Sequence, residues 1–280
     1  MYDLCAASTA RLPSRARAVV YPNDEQELIE FLDLFSEYEI PHRLLGGMSN
    51  VVFKNGFYDG VIIKTDKITT KTLAENRITL GCGFKLSKAI HSMASLGYGG
   101  MEGLAGIPGT VGGMVKQNAG AFGYEVSDTF TEAYCYSSEQ GKILRLCKSD
   151  MDFSYRHSIL SDKAITLVSA TFVLDRRSSD AINSQIADFR EQRLRAQPVD
   201  CPSLGSVFKR HNGVGAGFYI DQAGLKGFSL GDAQISEKHA GFIVNRGHAT
   251  ADDFLRLVEH AKKEVYSKFG IELQEEIEII

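Results

Sequence analysis

Two glycine-rich segments are the parts of this chain whose residue types and spacing most directly suggest chemistry. The first, LLGGMSN, runs from Leu44 to Asn50, and the second contains GIPGTVGG, from Gly106 to Gly113. Glycine lets backbone approach a ligand closely, and amide N–H groups turned toward one point bind an oxyanion, usually phosphate. Two such loops could hold a dinucleotide between them. Taken singly, a tight turn explains the first pattern about as well, and close backbone packing explains the second.

Neither segment matches the two common nucleotide-binding motifs. The first is neither GxGxxG nor GxxxxGK[ST], because no lysine follows to reach a terminal phosphate. No acidic residue stands at the spacing expected for a ribose hydroxyl. The sequence therefore argues against a Rossmann or P-loop site, and it also lacks the GxSxG motif of acyl transfer.

Composition limits the classes of protein and partner. The chain has 280 residues, 44% of them hydrophobic, which is enough for a large core and typical of two domains. A net charge of −4 provides no cationic field for nucleic acid or anionic lipid. The sequence shows neither a transmembrane run nor a signal peptide. Five dispersed cysteines indicate reduced thiols. We therefore predict a cytoplasmic protein without a metal site and without membrane or nucleic-acid partners.

Hydrophobic periodicity predicts the elements that must position these segments. The 3.6-residue period predicts five helices, at 23–38, 85–97, 181–197, 215–224 and 250–270. Asn23 is the expected N-cap of the first, and Thr250 with Asp253 forms a capping-box-like pair at the last. Apolar or alternating runs predict strands, at 43–45, 60–65, 77–83, 132–138, 141–148, 164–175, 239–247 and 271–280. A polar break at RRSSD predicts a domain boundary near 176–182.

Several segments, in order, resemble the UDP-N-acetylenolpyruvoylglucosamine reductases (the MurB family). LLGGMSNVVF is similar to their first flavin-binding loop and GLAGIPGTVGGMVKQNAGAFGYEV to their second. SYRHS, PSLGSVFK, IDQAGLKGFSLGDAQISEKHAGFIVN and LQEEIEII follow in the family's order. The resemblance covers nearly the whole chain, and the second loop and the AGLKG…SEKHAGF block are its most specific parts.

The resemblance implies an α+β fold with two domains. Residues 1–178 would form an FAD-binding domain of the vanillyl-alcohol-oxidase (PCMH) type, with subdomains at about 1–65 and 66–178. Residues 179–280 would form a C-terminal α+β substrate domain. The implied reaction is the NADPH-dependent, FAD-mediated reduction of UDP-N-acetylglucosamine enolpyruvate to UDP-N-acetylmuramate, a step of peptidoglycan synthesis. The enzyme is expected to be a monomer.

The resemblance also assigns the cofactor-binding residues. FAD is expected to be non-covalent, with the glycines letting the backbone wrap its pyrophosphate and isoalloxazine. The residues expected to bind it are Leu45, Gly46, Gly47, Met48, Ser49, Asn50, Gly106, Ile107, Pro108, Gly109, Thr110, Gly112, Gly113, Asn118, Gly120, Ala121 and Tyr155.

Three residues match the family's catalytic positions. The guanidinium of Arg156, in YRHS, can bind a carboxylate in bidentate fashion. Ser206, in PSLGSVFK, matches the proton donor, although a hydroxyl needs a preorganised setting to act as an acid. Glu276 lies on the polar side of the alternating C-terminal run and matches the glutamate that acts with the arginine. By residue type alone, a surface ion pair, a turn serine and a solvated strand face are the alternatives. The substrate-binding candidates are Lys209, Arg210, Lys238 and His239.

The sequence departs from the family pattern in places. Met48 replaces the usual third glycine of the first loop, so its side chain must lean away from the phosphates or the backbone must shift. Arg210 follows Lys209 where an asparagine is usual, and Glu278 stands where a basic residue is common. Only 50 positions separate Arg156 from Ser206. This short interval indicates the branch without an extra substrate-covering loop.

Two other functions fit the same features. An FAD-dependent oxidase of an alcohol or sugar would share the fold, but the loops carry no histidine or cysteine suited to covalent flavin attachment. A non-catalytic flavin or nucleotide binder descended from a reductase would also be yellow. NADPH oxidation that depends on the enolpyruvyl sugar nucleotide distinguishes the reductase from both.

Overall fold

The computed structural model describes residues 1–162 and 164–280. Its helices are α1 Glu25–Glu37, α2 Leu86–Ala94, α3 Val111–Lys116, α4 Val126–Thr129, α5 Ser179–Ala196, α6 Ala216–Gln222 and α7 Ala251–Phe269. Its strands are β1 Tyr2–Asp3, β2 Arg15–Val20, β3 His42–Leu45, β4 Val51–Val52, β5 Phe57–Lys64, β6 Lys71–Ala74, β7 Arg77–Gly81, β8 Tyr98–Gly99, β9 Gly120–Ala121, β10 Tyr124–Glu125, β11 Phe130–Ser137, β12 Lys142–Cys147, β13 Ile165–Val173, β14 Asp175–Arg176, β15 Ser203–Ser206, β16 Ser229–Leu230, β17 Ala233–Ile235, β18 Phe242–Asn245 and β19 Glu278–Ile279.

The chain divides into two compact units. Unit 1 comprises residues 1–18, 48–60 and 192–280, and unit 2 comprises residues 19–47 and 61–191. The division falls within β2, β5 and α5, and also between the second glycine of the first loop and Met48. The domain boundaries inferred from the sequence, at 1–178 and 179–280, stay a prediction.

Unit 2 is built on an antiparallel sheet of five strands in the order β12-β11-β13-β7-β6. Strand β13 lies in its centre, and its run from Leu167 to Thr171 is buried throughout, as expected for a strand covered on both faces. Helices α1, α2 and α3 contribute their apolar faces to the same core. In this unit, β3 also pairs in parallel with the end of β5.

The start of α1 corrects one sequence prediction. Asp24, not Asn23, is the N-cap: its carboxylate accepts from the Glu27 amide at 2.9 Å. The amide of Asn23 instead donates to the Glu27 carboxylate at 2.7 Å. Both residues are good caps by type, so local preference could not choose between them. The predicted apolar face is present, with Leu28 and Leu32 buried.

Unit 1 contains an antiparallel sheet of four strands in the order β15-β18-β17-β16. Helix α7 packs its stripe from Phe254 to Val265 into the core of this unit. The predicted capping box is confirmed, because Thr250 and Asp253 bond reciprocally at the start of α7. The helix ends at Phe269, and Gly270, with a φ of +68°, forms the left-handed C-terminal cap.

The prediction of a continuous strand over 271–280 was wrong. Only Glu278–Ile279 is a strand, paired in parallel with β4, and Glu275 forms an isolated bridge with Phe208. The alternation persists at Leu273 and Ile277, which are buried, but Ile279 is 41% exposed. The segment changes pairing partner along its length, so no single sheet extends over it.

None of the helices within residues 1–162 and 164–280 is long and apolar enough to cross a membrane. Over the same ranges, no group of three or more His, Cys, Asp or Glu side chains is arranged to hold a metal ion.

Candidate functional site

The two glycine loops meet within unit 2. Leu45 ends β3, and the chain then turns so that the Gly46 and Gly47 backbone lies against Gly109 and Thr110. A Cβ on Gly46 would overlap the Thr110 hydroxyl, and one on Gly47 would lie 3.3 Å from the Gly109 Cα. A side chain at Gly46 would therefore collide with the Thr110 side chain, and at Gly47 the backbones of the two predicted phosphate-binding loops approach each other closely.

The second loop comes to the surface at its glycines. Its flanks are buried, whereas Gly106 and Pro108 are exposed and Ile107 is partly exposed. Gly109 has a φ of +150°, which side chains disfavour. Beyond it, α3 begins: the Gly112 amide donates to the Cys82 carbonyl at 2.8 Å, while Gly113 is exposed.

The loops carry groups that fit the FAD implied by the sequence. Nowhere in residues 1–162 and 164–280 does an acceptor bond the backbone amides of Gly46 or Gly47. Donors left without a protein partner at a closely packed glycine turn suit a diphosphate, which accepts hydrogen bonds from backbone N–H groups. The residues present therefore fit the group.

Valine substitutions at Gly46 and Gly109 are expected to weaken FAD binding at least about tenfold. A side chain at Gly46 collides with Thr110, and one at Gly109 has to adopt a φ of +150° that side chains disfavour, so both changes displace the loop. FAD content of the purified protein and the rate of flavin release after dilution measure the effect. Gly215→Ala is the matched control, since a Cβ there meets nothing within 4 Å. Wild-type FAD content and release in both valine variants would contradict the proposed cradle.

Met48 resolves one departure from the family pattern. Its φ is +47°, in the left-handed region where glycine is favoured and other residues are uncommon. The side chain is only 3% exposed and lies within unit 1. The methionine side chain is therefore directed into the protein, which is the first of the two alternatives given above, and the backbone at Met48 is strained. The loop ends at Ser49 and Asn50 in the same unit.

Asn118 connects the second glycine segment to the turn that carries Arg156. Its φ is +38°, and its side chain is almost completely buried. The amide nitrogen donates to Glu125 at 2.9 Å and to the Ser154 carbonyl at 3.1 Å. The amide oxygen accepts from the Ser127 N–H at 3.0 Å. The amide is thus engaged inside the protein, and Asn118 holds neighbouring backbone in place.

The turn at 154–157 presents Tyr155 and Arg156. Ser154 and His157 exchange backbone hydrogen bonds, and Arg156 takes a φ of +56° between them. A non-glycine residue in this region costs of order 1 kcal/mol, and such strain is common at functional sites. The guanidinium donates to the Gly120 carbonyl at 3.1 Å and lies 5.1 Å from the Tyr155 ring centroid.

Gly120 and Ala121 form one strand of a β-hairpin whose turn has two residues. They pair with Tyr124 and Glu125, and the connecting Phe122 and Gly123 have φ values of +55° and +81°. Positive φ at both central residues is the type I′ geometry that matches the twist of the strands. This hairpin presents the Gly120 carbonyl to Arg156.

Glu102, a buried carboxylate at the start of the second loop, is not among the residues predicted from the sequence. It accepts from Arg177 at 2.8 Å and from the Gly100 amide at 2.9 Å. Arg177 also donates to Gln185 at 3.1 Å, and Gln185 donates to the Tyr124 hydroxyl at 3.0 Å. This chain of bonds connects both ends of the glycine-rich segment. In the sequence, the feature that could have identified Glu102 is that it is an acidic residue within a run of uncharged residues.

Ser206 lies at an irregularity in β15 within unit 1. The pairing with β18 shifts between Ser203 and Ser206, and Gly205 has a φ of +78° at that point. This is the geometry of a bulge, which re-aims a side chain. The Ser206 hydroxyl donates to the Phe208 carbonyl at 3.1 Å. The serine is thus positioned by the sheet and is not part of a simple surface turn.

Glu276 is brought to the same region by pairing between 207–209 and 274–276. Its amide donates to the Val207 carbonyl at 2.8 Å, and the Lys209 amide donates to Gln274 at 2.8 Å. The Asn50 side chain donates to the Glu276 carbonyl at 2.8 Å. These bonds place Asn50, Ser206, Lys209 and Glu276 in one neighbourhood of unit 1.

The neighbouring carboxylate, Glu275, has a different role. Lys262 donates to it at 2.7 Å. Burial opposes its ionisation, but the hydrogen bond and charge of Lys262, together with a backbone hydrogen bond, outweigh that effect, so the pKa of Glu275 is lowered from its ordinary value. Glu275 is therefore a structural ion-pair partner.

His239 and Lys238 follow β17 and precede β18. The His239 Nδ1 accepts from the Gly241 amide at 3.1 Å, which leaves the ring proton on Nε2 in the neutral form. Burial lowers the pKa of His239, and the charge of Lys226 lowers it further. The Lys238 ammonium donates to the Leu194 carbonyl near the end of α5.

Arg210 lies beyond the 207–209 pairing and is held locally, donating to the Gly213 carbonyl at 3.2 Å. The candidates therefore fall into two groups. Unit 2 contains Leu45, Gly46 and Gly47 of the first loop, the cofactor-binding candidates from Gly106 to Ala121, Tyr155 and Arg156. Unit 1 contains Met48, Ser49 and Asn50 of the first loop, Ser206, Glu276 and the substrate-binding candidates.

Comparisons with known proteins identify both parts of the chain. Residues 16–146 match the model of an FAD binding domain, and residues 197–280 match that of the UDP-N-acetylenolpyruvoylglucosamine reductase C-terminal domain. The reductase of Caldicellulosiruptor saccharolyticus is 43% identical over 98% of this chain and 88% of its own length. That of Clostridium novyi is 37% identical over 93% of this chain and 85% of its own length.

A solved structure agrees with these relatives. The crystal structure of UDP-N-acetylenolpyruvylglucosamine reductase (MurB) from Thermus caldophilus superposes with a TM-score of 0.85 at 30% identity, covering 99% of this chain and 97% of that one. The predicted α+β fold with an FAD-binding domain is confirmed. This chain belongs to the UDP-N-acetylenolpyruvoylglucosamine reductase family.

Proposed function

We propose that this chain reduces the enolpyruvyl ether of UDP-N-acetylglucosamine to UDP-N-acetylmuramate, using NADPH and non-covalent FAD, in peptidoglycan precursor synthesis. Family membership supports the reaction. The observation that carries the cofactor assignment is the contact of the two glycine loops around amide groups that have no protein acceptor. We further infer a cytoplasmic location, in keeping with the dispersed cysteines, and a monomeric state.

The chemistry sets distinct tasks for the protein's own residues. Bound FAD, once reduced by hydride from NADPH, would supply a hydride to the methylene carbon of the enolpyruvyl group. Negative charge then develops on the substrate carboxylate, and the neighbouring carbon must receive a proton. A fixed cation can stabilise the negative charge on the carboxylate, and a positioned acid can donate the proton to the carbon.

Arg156 is proposed to stabilise the substrate carboxylate. Its guanidinium is permanently charged, and its backbone is held in a strained turn bonded to Asn118. A cation fixed in advance needs no reorganisation as the charge develops. Tyr155, adjacent in the turn, is proposed to contact the cofactor.

Ser206 is proposed to donate the proton from its hydroxyl oxygen, and Glu276 to act as an acid at the same carboxylate. Two neighbouring carboxylates do not readily ionise together, so Glu276 would hold its proton beside the substrate. Lys209 is proposed to support Ser206 or to bind a substrate anion, and Lys238, His239 and Arg210 to contact the substrate.

The decisive assay follows NADPH oxidation by the purified protein with and without the enolpyruvyl sugar nucleotide. Oxidation is expected to depend on that substrate, and acid precipitation is expected to release FAD into the supernatant. Flavin retained in the pellet would contradict non-covalent binding. Oxygen-consuming turnover of an alcohol or sugar would favour an oxidase, and bound flavin without any turnover would favour a non-catalytic binder.

A further inference from the structure

Lys64 is a buried lysine that the mechanism above does not use. It is the last residue of β5 and lies opposite Leu45 of β3, the residue that leads into the first glycine loop. Its side chain is 3% exposed. Lysine is almost never buried to this degree without a partner, because removing an ammonium from water is costly.

The contacts of Lys64 point to the loop. Its ammonium donates to the carbonyl oxygen of Gly46 and lies 3.2 Å from the carboxylate of Asp66, whose side chain is 43% exposed. Burial lowers the pKa of Lys64, Asp66 opposes that shift, and the charge of Lys85 adds to it. Lys85 is paired with Thr110 of the second loop by a backbone bridge, so a second cation stands near these loops.

The bond from Lys64 to the Gly46 carbonyl also fixes the orientation of the peptide group between Gly46 and Gly47. The described residues contain no cis peptide bond, and in a trans peptide the C=O and N–H groups point in opposite directions. Holding the Gly46 carbonyl on the Lys64 side therefore directs the Gly47 N–H to the other side. That N–H has no acceptor within residues 1–162 and 164–280.

We propose that Lys64 is a positioning residue for the cofactor: it orients the Gly46–Gly47 peptide so that its N–H faces the diphosphate of FAD, and it places a positive charge behind the loop. The proposal rests on the FAD-binding function inferred above. A buried charge is screened less by salt than a surface charge, so it acts on an anion even without direct contact.

Lys64→Met tests the proposal, because methionine keeps the apolar stem and removes the ammonium. We expect the apoprotein of this variant to bind FAD about 10- to 100-fold more weakly than the wild type, with faster release, measured by quenching of flavin fluorescence. Lys67→Met is the matched control, since the exposed Lys67 side chain donates to Asn23 and not to the loop.

A second measurement separates positioning from a general structural role. Removing a buried charge should leave the thermal unfolding temperature of the apoprotein unchanged or raise it, because Asp66 remains solvated. Parallel loss of apoprotein stability and FAD affinity would overturn the proposal, as would wild-type affinity in Lys64→Met. Partial recovery of affinity in Lys64→Arg would support it. A wild-type apoprotein that takes up no FAD would overturn the proposed cofactor together with this role.

Discussion

Ser206→Ala is expected to leave the reduction of bound flavin by NADPH nearly unchanged and to slow the reoxidation of that flavin by the enolpyruvyl substrate by about 10²- to 10⁴-fold. Only the second half-reaction needs a proton on the substrate carbon. The hydroxyl donates to Phe208 at 3.1 Å from a bulged strand, so its removal leaves the backbone hydrogen bonds of the sheet in place. Stopped-flow absorbance of the flavin measures the two half-reactions separately.

Ser203→Ala is the matched control for this experiment. Ser203 belongs to the same strand, and the hydrogen bond it accepts from Thr9 is made by its backbone carbonyl, which the substitution preserves. Normal rates are expected in both half-reactions. If Ser206→Ala slowed flavin reduction and flavin reoxidation equally, the serine would be structural and the proton donor would have to be another group.

Arg156→Ala and Glu276→Ala are each expected to slow flavin reoxidation by substrate by about 10²- to 10³-fold, the usual cost of removing one charge-stabilising group. Flavin content should stay normal, because neither side chain is proposed to hold the diphosphate. Glu276→Gln keeps the size and a hydrogen-bond donor, so its effect should be milder. Single-turnover reoxidation of the reduced protein measures each rate.

The double variant tests whether the two residues serve one substrate group. If both act on the developing negative charge, the combined loss in activation free energy should be smaller than the sum of the single losses. Additive losses would mean that they work at separate places. Glu275→Gln is the control, since Glu275 is paired with Lys262 and should not affect reoxidation. Normal turnover in Glu276→Ala would remove Glu276 from the site.

The sequence alone determined the features that depend on local patterns. Apolar spacing located α1 and α7, and residue types identified the Thr250–Asp253 capping box, because helix faces and caps involve neighbours along the chain. The ordered glycine segments and the motifs around Arg156 and Ser206 identified the family. The site roles remain predictions that the variants above test.

Only the tertiary structure decided which residues meet across long separations in sequence. The contact of Gly46 with Thr110, the buried ion pair of Glu102 with Arg177, and the bond from Lys64 to the first loop all depend on packing between distant segments. The C-terminal run shows the same limit: its alternation predicted one strand, but pairing divides it between Phe208 and β4. The periodicity of a sequence indicates which side of a segment is buried. Which strand the segment pairs with depends on the elements that pack around it in the folded protein.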